Sequence, residues 1–131
     1  MPSDTTSGIR GECVHFVRRY YETYCGLTFK EVQNAADMVH LRSLYDANGK
    51  RYPWKTTRVV EKGCAIVWAA EGKYAPTGHV AVVIEVCKET GLVVVAEVNE
   101  QGNHRFGIRK ISLAPSRLYR IARILAAPKE V

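Results

Sequence analysis

Cys13 and His79 are the residues of this chain whose types and settings could support covalent chemistry. Cys13 stands in Gly11-Glu12-Cys13-Val14-His15-Phe16-Val17-Arg18-Arg19-Tyr20-Tyr21, directly after Ser7-Gly8-Ile9-Arg10-Gly11, whose glycines and serine interrupt helix. Val17, Tyr20 and Tyr24 follow at helical steps, which predicts an amphipathic helix with Cys13 in its first turn, on their face. The unpaired N–H groups and positive dipole end there favour thiolate over thiol. A cysteine so placed is a candidate nucleophile, with a buried structural thiol as the competing reading. On the first reading iodoacetamide should label Cys13 before Cys25, Cys64 and Cys87.

A thiol nucleophile needs a base, and the base needs an orienting group. Of the four histidines, His15 follows Cys13 by two residues and projects from nearly the opposite side of the helix. His40 falls in a second predicted helix and His104 in a turn. His79 opens a valine-rich strand directly after Thr77-Gly78 and is the best candidate by position. A three-residue hairpin loop ending in a left-handed Gly91 pairs Lys88 with Leu92, and therefore Val83 with Glu97 and Ala81 with Asn99. Residues of one parity share a face, so His79, Glu97 and Asn99 point the same way. This count sets Asn99 diagonal to His79, about 7–8 Å away between backbones, and Glu97 one pair further. Either could hold the second imidazole nitrogen, and the count favours Asn99.

The elements that must position these residues follow from the remaining pattern. The first helix is expected from Glu12 to Cys25, ending at Gly26. Thr28-Phe29-Lys30-Glu31 reads as a capping box for a second helix with Val32, Ala35, Ala36 and Val39 inward. Residues 48–63, holding Asn48-Gly49, Pro53 and Gly63, read as a long connection. The period then changes to two, giving strands over Cys64–Trp68, His79–Cys87, Leu92–Asn99, Arg105–Ile111 and Leu118–Leu125. Helices first and antiparallel strands after is the α+β order, here with a sheet of about five strands. Residues 1–131 make a single domain with a polar tail over about 1–8.

Composition narrows the partners. The four cysteines form no C-x-x-C pair and no zinc spacing, so no metal or cofactor is implied. A disulfide among Cys25, Cys64 and Cys87 has no connectivity that the sequence can assign. The net charge of +6 is uneven: Arg105, Arg109, Lys110, Arg117, Arg120, Arg123 and Lys129 follow Glu100 against Glu130 alone. That cluster suits an anionic polymer, yet no aromatic interleaving or RNA-binding pattern marks a nucleic-acid partner. No apolar run reaches the roughly 18 residues that span a membrane. The polar N-terminus has no apolar core of a Sec signal, so export is expected to need another route.

Together, the blocks Gly11–Arg19, Gly63-Cys64-Ala65-Ile66-Val67-Trp68, Thr77-Gly78-His79-Val80-Ala81-Val82-Val83 and Ala96-Glu97-Val98-Asn99 resemble the CHAP family, over about residues 8 to 125. The name stands for cysteine, histidine-dependent amidohydrolases/peptidases, papain-like enzymes that cleave amide bonds. The resemblance implies a papain-like fold with N-terminal helices on the sheet. It implies Cys13 as nucleophile, His79 as base, Asn99 or Glu97 completing the triad, and the Cys13 backbone N–H in an oxyanion hole. The family often has glutamine before the cysteine, where this chain has Glu12. Cys13–Tyr24 and Lys62–Val83 are most similar to the glutathionylspermidine amidase domain. A small basic single domain also resembles type VI secretion amidase effectors. That likeness implies a peptidoglycan peptide substrate in the periplasm of a target bacterium and a cognate immunity protein in the producer. Glutathionylspermidine hydrolysis is the alternative activity, and a non-enzymatic binding module on a decayed scaffold is the reading from another class.

Overall fold

The computed structural model describes residues 12–100, 104–114 and 116–125. Helix α1, Glu12–Cys25, has the expected bounds, and Gly26 ends it in the left-handed region at φ +68°. Gly26 N–H returns to the Glu22 carbonyl and Leu27 N–H to that of Tyr21, which satisfies the last turn. The buried stripe is Cys13, Val14, Val17 and Tyr21, whereas Tyr24 is 47% exposed. The face is rotated from the expected one because Tyr21 turns inward, donating to the Gly63 carbonyl at 2.7 Å and meeting Trp54 edge-on at 5.7 Å.

Among the described residues seven strands follow, two more than expected. They are β1 (Ser43–Tyr45), β2 (Arg51–Thr57), β3 (Ala65–Trp68), β4 (His79–Cys87), β5 (Leu92–Val98), β6 (Phe106–Ser112) and β7 (Tyr119–Ile124). They form one sheet in the order β1-β2-β7-β3-β4-β5-β6, with neighbours antiparallel. The extra strands lie where a helix and a long connection were expected. A 3-10 helix, Ala35–His40, is all the helix that forms there. Asp37, not Glu31, supplies the carboxylate that caps it, accepting from Asn34 N–H at 3.0 Å. The Thr28 hydroxyl instead donates to Glu22, and the Thr28 backbone bridges Tyr45. Asn48-Gly49 lies in the β1–β2 turn, where Asp46 accepts from the N–H groups of Asn48 and Lys50, each at 2.9 Å.

The sheet is apolar on both faces. Val80 and Val82 join Ala65, Val67 and Ala122 beneath α1. Ala81 and Val83 join Cys64, Ile66, Val93, Val95 and Ile121 on the other side. Burial on both faces explains why His79–Val83 is an unbroken buried run and not an alternating one.

The start of β4 is fixed by Gly78, at φ +80°. A Cβ added there would lie 2.5 Å from the Trp68 carbonyl oxygen and 2.7 Å from Ala36 Cβ. Gly78 N–H also returns to the Tyr74 carbonyl, and Ala36 N–H takes that of Thr77. His79 thus enters the sheet from a junction of three segments that only glycine permits. Gly91, at φ +74°, has open space around the same atom. Gly78→Ala and Gly91→Ala share a left-handed strain of about 1–2 kcal/mol, but only the first adds overpacking of about 1–3 kcal/mol. Urea denaturation should therefore show the larger loss for Gly78→Ala; equal losses would mean that this junction is not tight.

Candidate active site

His79 and Trp68 are directly paired across β3 and β4, so their rings share a face, with centroids 5.4 Å apart. Tyr74 stacks on the imidazole at 4.9 Å and 17°. His79 is 2% exposed and Glu97 1%. His79 Nε2 lies 2.8 Å from Glu97 Oε1. Burial alone would raise the Glu97 carboxyl, but bonds from His79 and Arg109, with the Arg109 charge, outweigh it and hold the carboxyl below its ordinary value. An ionised carboxylate only accepts, so Nε2 carries the proton and Nδ1 is left as the basic nitrogen. Because Glu97 titrates lower folded than unfolded, its pairing stabilises the fold above the ordinary carboxylate range and is lost as pH falls through the folded value.

Glu97, and not Asn99, is the group on Nε2. The β4–β5 register explains the difference from the sequence count. Cys87, not Lys88, pairs with Leu92, and a bulge between Val83 and Glu85 shifts the ladder again. Val83 therefore opposes Val95 and Val82 opposes Ala96. Continued by one pair, this sets Glu97 opposite Ala81 and diagonal to His79. Two one-residue displacements leave parity intact while moving the neighbour by two. Asn99 takes a left-handed backbone, φ 67°, beyond the end of β5. Its N–H donates to the Arg105 carbonyl, and its Oδ1 accepts from His104 N–H at 2.8 Å.

The Cys13 thiol lies under β4, within reach of the backbone amides of Val80, Val14 and Cys13 itself. Val80 directly follows His79, and Nδ1 is the ring nitrogen nearer the histidine's own backbone. Burial is the strongest influence on the thiol and raises it, and the Glu12 charge acts the same way. The three amides lower it without reversing the result. The resting group is thus a thiol, contrary to the thiolate expected from the helix dipole alone. Glu12 itself meets His104 Nδ1, which ties the start of α1 to the β5–β6 turn. No disulfide joins the four cysteines, and Cys25 and Cys87 are only half-buried. Hydrogen bonds from Thr90 lower the Cys87 thiol. That direction is opposite to the one burial imposes on Cys13.

Tyr74, Glu100 and Arg109 complete the cluster, and sequence reasoning did not place Tyr74 and Arg109 there. Arg109 forks onto Glu97, with Nε 2.6 Å from Oε2 and Nη2 3.1 Å from Oε1. Tyr74 donates its hydroxyl to Glu100 at 2.7 Å, and Lys73 also meets Glu100. The signal for Arg109 was its parity. Val95 opposes Arg109 and Glu97 opposes Gly107, so Arg109 is the cation diagonal to Glu97 on the same face. Among the described residues no group of three or more His, Cys, Asp or Glu is arranged to hold a metal ion. Among those same residues no helix is long and apolar enough to cross a membrane.

Relatives of known name share this chain's pattern. It is 27% identical over 89 residues to the bifunctional glutathionylspermidine synthetase/amidase of Escherichia coli (strain K12), covering 63% of this chain and 14% of that one. It is 35% identical over 100 residues to the glutathionylspermidine synthase of Crithidia fasciculata, covering 71% and 14%. The chain therefore spans only 14% of the length of these curated relatives. In fold it is similar to a crystal structure of an N-acetylmuramoyl-L-alanine amidase from Staphylococcus aureus. That similarity has a TM-score of 0.65 at 22% identity, over 87% of this chain and 30% of that one. The CHAP domain family matches residues 3–99, a span holding Cys13, His79 and Glu97, and the chain belongs to that family.

Proposed function

We propose that this chain is a cysteine-dependent amidase that hydrolyses amide bonds in peptidoglycan peptides. The observation that carries the reading is the buried His79–Glu97 pair, which leaves Nδ1 as the basic nitrogen of a histidine one residue before Val80, whose backbone the Cys13 thiol approaches. In the reaction Nδ1 takes the Cys13 proton as Sγ attacks the scissile carbonyl carbon, and the Cys13 backbone N–H receives the developing oxyanion. The imidazolium returns the proton to the leaving nitrogen as the C–N bond breaks, leaving a thioester. Water then gives a proton to Nδ1 and attacks the thioester. The C–S bond breaks, and the sulfur regains a proton. Glu97 stabilises the imidazolium in both halves.

The alternative, a glutathionylspermidine amidase, is favoured by the names of the curated relatives. Charge pairing supports the peptidoglycan reading against it. A polyamine tail needs carboxylates to meet its ammonium groups, yet Glu71, Glu97 and Glu100 each already face a cation of the protein. Glu12 faces His104, Glu71 faces Arg117, Glu97 faces Arg109 and Glu100 faces Lys73. A hollow of about 430 Å³, one strand from His79, is lined by Val67, Trp68, Tyr119, Arg117 and Arg120. Its basic rim suits an anionic stem peptide. Action in a rival's periplasm after type VI delivery, with an immunity protein in the producer, belongs to this proposal and rests on the sequence resemblance.

Cys13→Ala and His79→Ala should each lower kcat by at least about a thousandfold while leaving circular dichroism unchanged. Glu97→Gln should lower kcat roughly a hundredfold or more, whereas Asn99→Ala should mainly reduce stability by about 1 kcal/mol. A larger kcat loss for Asn99→Ala would return the orienting role to Asn99. Product masses from muropeptides and from glutathionylspermidine separate the two substrates. Muropeptide cleavage that declines as salt rises is expected; exclusive cleavage of glutathionylspermidine would reverse the preference. Directed to the periplasm of a Gram-negative cell, the chain should cause lysis that Cys13→Ala abolishes, and survival would count against an antibacterial role.

A further inference from the structure

The contacts around His79 close into a ring. Glu97 holds one edge of the imidazole, and Tyr74 stacks on its face. Arg109 joins the two supports, forking onto Glu97 and placing Nη2 3.4 Å from the Tyr74 hydroxyl. The same guanidinium lies 5.7 Å from the Trp68 ring, which borders His79 on the paired strand. Glu100 ties the arrangement down, accepting from Tyr74 and lying 3.6 Å from Arg109 Nη1. Arg109 reaches all of this from β6, an edge strand of the sheet.

We propose that Arg109 is the positioning residue of this site, holding Glu97 in register on His79 and, through Tyr74, fixing the plane of the imidazole. The inference rests on the catalytic roles proposed for Cys13 and His79. Arginine suits the task because its planar fork fits both carboxylate oxygens, and lysine offers no such match. A carboxylate as buried as Glu97 that met only a histidine would take up a proton more readily than it does with Arg109. The charged and titratable groups around the pair are Arg109 from β6, Glu100 after β5, and Lys73 and Tyr74 before β4. Arg109 is the cation among them bonded to Glu97 directly.

The test compares wild type with Arg109→Met, Arg109→Lys, Cys13→Ala and Arg51→Met, the last removing an exposed arginine on β2. Two readouts are used: the Glu97 carboxyl followed by ¹³C NMR, and the pH profile of kcat/KM on muropeptide or glutathionylspermidine, whichever wild type hydrolyses. In Arg109→Met the Glu97 midpoint should rise, the acid limb should move towards neutral pH, and kcat should fall about ten- to a hundredfold. Arg109→Lys should restore part of each and covers the case in which methionine prevents folding. Arg51→Met should leave both readouts where wild type has them. A residue with only a structural role would scale activity at every pH without moving either midpoint. Unshifted midpoints in Arg109→Met and Arg109→Lys would overturn the inference while leaving the proposed function standing. Turnover surviving in Cys13→Ala would instead remove the proposed function, and the NMR midpoint would still decide the part played by Arg109.

Discussion

A carboxylate buried as deeply as Glu97 has to be paired, and that requirement organises this end of the sheet. Its oxygens are taken by His79 on one side and Arg109 on the other, which sets the imidazole tautomer and leaves Nδ1 basic. The pairing draws in three strands at once. β4 brings His79, β5 brings Glu97 and β6 brings Arg109, all on the face away from α1. Replacing any one of them leaves an uncompensated charge or polar group in the interior.

The proposed nucleophile comes from the other layer. α1 packs beneath β4 and β5, so the Cys13 thiol arrives under the backbone of Val80, one peptide from His79. The juncture depends on Gly78, which lets the chain pass between the end of β3 and the 3-10 helix before β4 begins. Burial gives the thiol its resting protonation state. In the proposed mechanism the thiol then gives up its proton during attack, which is the regime that a well-oriented base serves best.

Much of this was legible from residue types. The glycines bracketing α1, the histidine opening a valine-rich strand, and the shared parity of His79 and Glu97 all follow from local pattern. The choice between Glu97 and Asn99 was not legible, because it turns on a bulge at Ile84 and one residue of hairpin register that no side-chain pattern marks. The stretch from Thr28 to Gly63 misled for another reason. Val32, Ala35, Ala36 and Val39 have helical spacing, but the helix that forms is a single 3-10 segment starting at Ala35, with Ala35 and Met38 in the core, and Val32 lies before it. Pro53 argued against a strand, yet β2 accommodates it: Leu125 N–H donates to its carbonyl, and Arg42 accepts from the next residue, Trp54.

The central claim is that the acyl group passes through the Cys13 sulfur. Rapid acid quenching during turnover of a muropeptide, followed by peptide mass spectrometry, tests this most directly. The account predicts a thioester with the mass of the acyl half of the substrate on the peptide containing Cys13, and none on those containing Cys25, Cys64 or Cys87. Steady turnover with an adduct on another cysteine, or with no covalent adduct under conditions that slow deacylation, would contradict it.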